Sequence, residues 1–184
     1  MSLSKVISKF DTNPNTVYVN TFESPVGTVT AAADDDYLYI VTFEDSKNFQ
    51  KCFDIVAKEL SCKFVMKENK LLQTFENELS EYFNGKLKKF TVPIKTFGSL
   101  IVIYLIWDKL LELPYGSTQS YGDLAKDIGR PASHSRAVGA ACGANALLIV
   151  VPCHRLVAAG SKGGYNSGVE RKDKLIELEK NSSV

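Results

Sequence analysis

Pro152-Cys153-His154-Arg155, with Asn145 eight residues before the cysteine and Glu179 further on, is the part of this chain whose residue types could do chemistry. A thiol held between a rigid proline and an imidazole, at the end of the apolar run 147–151, is a candidate nucleophile. The competing reading is packing, because free cysteine is often buried as a small hydrophobe. The polar company favours chemistry: His154, Arg155, Asn145 and Glu179 gather in one segment of a chain with only two histidines. Cys52 and Cys62 lack the short paired spacing and the neighbouring histidines of a zinc site, so no metal centre is expected.

The elements that must position these residues read as follows. Residues 16–22, 28–33 and 37–43 are β-rich runs joined by turns at Ser24-Pro25-Val26-Gly27 and Asp34-Asp35-Asp36, which predicts a small antiparallel sheet. Residues 47–60 and 70–83 carry apolar side chains at helical spacing, and Gly85 closes the second run. Residues 86–95, with Pro93 inside, read as a linker, so domains are expected over 1–92 and 93–184. The rear half opens with an apolar helix over 99–113. Ser120 and Asp123 have the spacing of a helix cap, which predicts a second helix to about Ile128. A third runs from an N-cap at Ser133 to Gly143.

Two short helices joined by a tight turn make either a helix-turn-helix or an ordinary helical hairpin. The composition of the third helix discriminates. It carries Arg136-Ala137-Val138-Gly139-Ala140-Ala141-Cys142, nearly bald of the long hydrogen-bonding side chains that read bases in a major groove. Small residues instead permit close approach to another surface, as a minor groove lined by sugar and phosphate requires, or tight packing on a neighbouring helix. Arg136 in the first turn opposes the helix macrodipole, which points to a task outside the fold.

These segments resemble the O6-alkylguanine-DNA alkyltransferases. The resemblance is carried by Ser120-Tyr121-Gly122-Asp123-Leu124-Ala125, Arg136-Ala137-Val138-Gly139-Ala140, Asn145, Pro152-Cys153-His154-Arg155-Leu156-Val157, Tyr165 and Glu170-Arg171-Lys172, over about 107–179. The front half resembles the family through Ser24-Pro25-Val26-Gly27 and the order of elements. The resemblance implies an α+β protein with an N-terminal ribonuclease-H-like domain and a C-terminal winged helix-turn-helix domain. It implies a DNA repair protein that binds duplex DNA through the minor groove, rotates the damaged guanine out of the stack and moves its O6 alkyl group irreversibly to Cys153.

On that resemblance His154 is the base, acting through a bridging water, and Glu179 orients and charge-balances the imidazole. Tyr121 faces guanine N3, and the backbone N–H of Asn166, after Tyr165, faces O6. Carbonyls at Cys153 and Val151 hold the base, and Asn145 braces the turn. Arg136 fills the gap left by the extruded nucleotide, on a DNA-binding face with Ser133, Ala137 and Gly139. No cofactor is implied, and the protein is expected to act as a monomer. This chain departs from its relatives at Ala146-Leu147-Leu148, where prolines are usual, in a stretch one residue shorter from Cys153 to Tyr165, and in the greasy Ile103-Tyr104-Leu105. Two other classes remain: a lesion-binding relative without catalysis, and a cysteine hydrolase acting on acyl substrates.

Composition bounds these readings. With 184 residues, 45% of them hydrophobic, the chain can bury a core, and no run approaches a membrane helix in length. No signal peptide is visible, so an intracellular address with reduced thiols is expected, the nucleus in a eukaryote or the cytoplasm in a prokaryote. Net charge is +1, yet from Arg130 onward eight Lys and Arg face four Asp and Glu, so the basic excess travels with the cysteine.

Overall fold

The computed structural model describes residues 2–98 and 101–182, and the chain divides into two compact units, 1–97 and 98–184. In the first, β1 (Asn15–Phe22), β2 (Val29–Ala33) and β3 (Leu38–Phe43) pair antiparallel as the alternation and turns predict. A fourth strand, Cys62–Met66, corrects the expectation of a purely antiparallel sheet. Taking α1 as Leu3–Ile7 and α2 as Phe49–Leu60, this strand, β4, follows α2 and returns parallel to β1, giving the order β3-β2-β1-β4. Its entry is Ser61, in the left-handed region at φ 48°.

Helix α3 (Lys70–Phe83) has the predicted bounds, and its N-cap Asn69 accepts a hydrogen bond from Leu72 N. Phe53 of α2 packs edge-on to Phe64 of β4, and Phe75 of α3 edge-on to Phe22 of β1. Phe64 is paired with Val17, and Val17 and Phe22 are an odd number of residues apart, so the two helices cover opposite faces of the sheet. That explains why β2 and β3 are buried along their whole length rather than alternating. The stretch expected as a linker is tied to this unit. Glu78 accepts hydrogen bonds from Thr91 N at 2.9 Å and Val92 N at 3.3 Å, and Ile94 bridges Leu38. The division therefore falls after Phe97.

The second unit contains α4 (Ile101–Glu112), β5 (Gln119–Ser120), α5 (Tyr121–Asp127), α6 (Ser135–Gly143), β6 (Leu156–Val157) and α7 (Val169–Asn181). The expected start of α4 at Ser99 lies outside the described residues. Ser120 caps α5 by accepting from Asp123 N at 3.0 Å, as the spacing predicts. Gly129, at φ 71°, turns the chain toward α6, so α5 and α6 form the helix-turn-helix. Ser133 is not the N-cap of α6. Pro131 starts a 3-10 turn over Ala132–His134 that runs straight into the helix, leaving no separate cap position for Ser133. Trp107 of α4 donates its indole N–H to Ala141 O at 3.0 Å and fixes α6 from behind. Among the described residues no helix is long and apolar enough to cross a membrane.

Candidate active site

Between α6 and Cys153 the chain makes a buried turn. Residues 147–151 are all buried, Val151 N donates to Leu147 O at 2.8 Å, and Ile149 stands at φ 73°. A β-branched residue in the left-handed region is strained, so the turn needs an external brace. Asn145 supplies it. Its Oδ1 accepts from Leu147 N at 2.9 Å, while its Nδ2 donates to Val151 O at 2.9 Å and to Cys153 Sγ at 3.2 Å. The Val151 carbonyl also accepts from Cys153 N at 2.8 Å.

Cys153–Arg155 is a 3-10 turn, and all three side chains are buried. Burial pushes the Cys153 thiol up to about 11, against the Asn145 hydrogen bond and the Lys172 charge, which pull it down. The resting sulfur is therefore a neutral thiol at neutral pH. His154 is fully enclosed, and its Nε2 lies 2.7 Å from Glu179 Oε1. Burial lowers the imidazole pKa, against the upward pull of Glu179. Burial would raise Glu179, but His154 and Arg155 outweigh it and hold the carboxyl at about 2.

These states fix the tautomer. An ionised carboxylate only accepts, so the hydrogen sits on Nε2 and the contact is a hydrogen bond from neutral imidazole rather than an ion pair. Nδ1 then carries the lone pair, and this buried atom makes no hydrogen bond within the protein. Glu179 also accepts from Gly116 N at 3.0 Å and from Arg155 Nε at 2.8 Å and Nη2 at 3.0 Å. Arg155 is held in turn by Leu113 O at 2.7 Å and lies 5.7 Å from the Tyr115 ring centre.

The parallel pairing of β5 with β6, Gln119 opposite Leu156 and Ser120 opposite Val157, brings Tyr121 to the cysteine's side of the unit. Burial, then the neighbouring Cys142 and Cys153, push the Tyr121 phenol up to about 12, so it stays a donor. Tyr165 is buried with a hydroxyl that makes no hydrogen bond within the protein, and Asn166 Nδ2 donates to Gly143 O at 2.7 Å. On α6, Val138 and Ala141 face inward, while Arg136, Ala137 and Ala140 are exposed and Gly139 is half-buried. Ser133 lies exposed on the preceding turn.

Two buried charges were not assigned roles from sequence. Arg155 is one. Lys172 is the other: its side chain is fully enclosed, and Nζ donates to Leu156 O at 2.6 Å and Gly164 O at 3.1 Å, 5.7 Å from the Tyr121 ring centre. Sequence alone does not mark it, because the stripe it belongs to is seen only as burial in the fold. Lys172, Leu175 and Glu179 sit at i, i+3 and i+7 on α7, one buried stripe in an otherwise charged helix. Among the described residues no cluster of His, Cys, Asp and Glu could hold a metal ion.

Residues 17–96 match the model for the 6-O-methylguanine DNA methyltransferase ribonuclease-like domain, and residues 104–181 match that family's DNA-binding domain. An inducible methylated-DNA–protein-cysteine methyltransferase of Bacillus subtilis is 41% identical over 139 residues, 75% of this chain and 76% of that protein. One from Methanosarcina acetivorans is 37% identical over 164 residues, 89% of this chain and 98% of its own. Among solved structures, Mycobacterium tuberculosis OGT in complex with DNA superposes with a TM-score of 0.75 at 32% identity, covering 91% of this chain and 94% of that one. With a ribonuclease-like front unit, a helix-turn-helix rear unit and these matches across both, the chain belongs to the methylated-DNA–protein-cysteine methyltransferase family.

Proposed function

We propose that this chain repairs duplex DNA by moving the alkyl group of an O6-alkylguanine to Cys153 Sγ. The observation that carries the reading is the neutral His154, next in the chain to a thiol that Asn145 holds in place, with its Nε2–H engaged by Glu179 and its buried Nδ1 making no hydrogen bond within the protein. The sulfur attacks the alkyl carbon. An S–C bond forms, the C–O6 bond breaks, and the electron pair passes to guanine. The thiol proton goes to Nδ1 through one water and returns to the departing base, so atoms and charge balance.

A thiol near pKa 11 is almost wholly protonated at neutral pH, so the relay rather than resting ionisation supplies the nucleophile. Tyr121, still protonated, donates toward N3 as negative charge grows on the purine, and the Asn166 N–H faces O6. The Val151 carbonyl, which already accepts two internal bonds, holds the exocyclic amine only by sharing a lone pair. Arg136 occupies the gap left by the rotated nucleotide. Ser133, Ala137 and Gly139 let the backbone approach the minor groove.

The thioether cannot be reversed by any group in the site, so one protein molecule accepts one alkyl group. With lesion in excess, uptake should stop at one equivalent. Continued turnover would assign a hydrolase, and tight binding without uptake a lesion-recognition protein.

A further inference from the structure

We propose that the Lys162–Asp173 ion pair determines how large an O6 substituent this protein accepts, by fastening residues 158–168 against Tyr121. The inference rests on the alkyl-transfer reading above. Three consecutive residues of α7 grip that segment. Arg171 Nη1 donates to Ser167 O, Lys172 Nζ donates to Gly164 O at 3.1 Å, and Asp173 Oδ2 lies 2.7 Å from Lys162 Nζ. Lys172 is fully enclosed and Arg171 half-buried, whereas the Lys162 side chain is 63% exposed. The third fastening is thus the one at the surface, where an ion pair opens readily.

What it fastens is the stretch packed on Tyr121. Gly163, next to Lys162, stands at φ 71° with its backbone pressed on Tyr121: a Cβ there would lie 2.9 Å from ring Cε2 and 3.0 Å from the hydroxyl. Tyr121 in turn donates to Gly164 O at 3.5 Å. Gly160, Gly163 and Gly168 all have positive φ, so the segment has pivots on both sides of the contact. Releasing Lys162 frees the near side of the segment and loosens the Gly163 contact on Tyr121, while Lys172 at Gly164 and Arg171 at Ser167 keep the remainder anchored. Room opens beside Tyr121, and the hydrogen bonds of His154 and Glu179, which involve none of these residues, are kept.

The test measures single-turnover uptake of methyl and of benzyl groups from O6-modified guanine in duplex DNA, in the wild type, Lys162→Ala, Asp173→Asn and the charge swap K162D/D173K. An exposed pair biases an equilibrium by up to about fivefold, so both single variants should raise the benzyl-to-methyl rate ratio about two- to fivefold with the methyl rate unchanged. The swap should restore the wild-type ratio. A ratio unchanged in the single variants, a parallel fall of both rates, or a swap that fails to restore it overturns the inference while leaving the transfer reading intact. A wild type that takes up neither group overturns both.

Discussion

Replacing Glu179 by Gln removes one charge from a carboxylate that accepts four hydrogen bonds, from Gly116, His154 and twice from Arg155. The variant leaves the Arg155 guanidinium buried without its counter-charge, a loss of about 3–5 kcal/mol. An independent route gives a similar figure. The carboxyl falls from 4.5 to about 2 on folding, and at about 1.4 kcal/mol per unit this is a stabilisation of about 3 kcal/mol at neutral pH. Because the folded pKa is depressed, this stability is fully present above the unfolded value and is lost as pH falls through the folded one. Glutamine does not titrate, so the gap between wild type and variant should be about 3 kcal/mol at pH 7 and close toward pH 2. Urea unfolding followed by Trp107, the one tryptophan and a buried residue of the second unit, reads it directly. A gap below about 1 kcal/mol at pH 7, or one equally large in acid, would refute the reasoning.

Asn145→Ala removes three hydrogen bonds and leaves the strained turn at Ile149 unbraced, so the second unit should lose about 2–4 kcal/mol, measurable by the same unfolding assay. Lys172→Met removes a buried cation that lowers the thiol pKa. The thiolate absorbance of Cys153 should titrate at higher pH than in the wild type, and iodoacetamide should react more slowly below that pH. Arg136→Ala, at an exposed site, should leave the melting temperature unchanged and slow transfer from duplex DNA by at least about tenfold, while transfer from free O6-benzylguanine is unaffected.

Much of the site was legible because its chemistry is local in sequence. Cysteine, histidine and the bracing asparagine lie within ten residues, and Ser120 announces its own helix start. Glu179 was legible only through family resemblance, since nothing near it in sequence distinguishes it from a solvated helix end. Its donors come from two separated stretches, at Gly116 and at His154-Arg155, and folding alone brings these to it. Lys172 escaped assignment because lysine is normally solvated, and only the buried stripe on α7 marks it otherwise. Strand β4 was missed because Cys62–Met66 is short and follows α2 without a glycine or proline signal. The Ser133 cap failed for another reason: a serine can cap a helix only where the preceding chain is non-helical, and the 3-10 turn after Pro131 removes that condition. The left-handed Ile149 could not be foreseen, because the aliphatic run around it predicts regular structure and the strain is imposed by Asn145.

The most direct test is to incubate the protein with duplex DNA containing O6-methylguanine, digest it, and weigh the peptide that carries Cys153. The account predicts that this peptide gains the mass of one CH2 in stoichiometric yield, that the peptide carrying Cys142 gains nothing, and that Cys153→Ser abolishes the gain. An unmodified Cys153 peptide after complete loss of the lesion, or methylation of another residue, would contradict it.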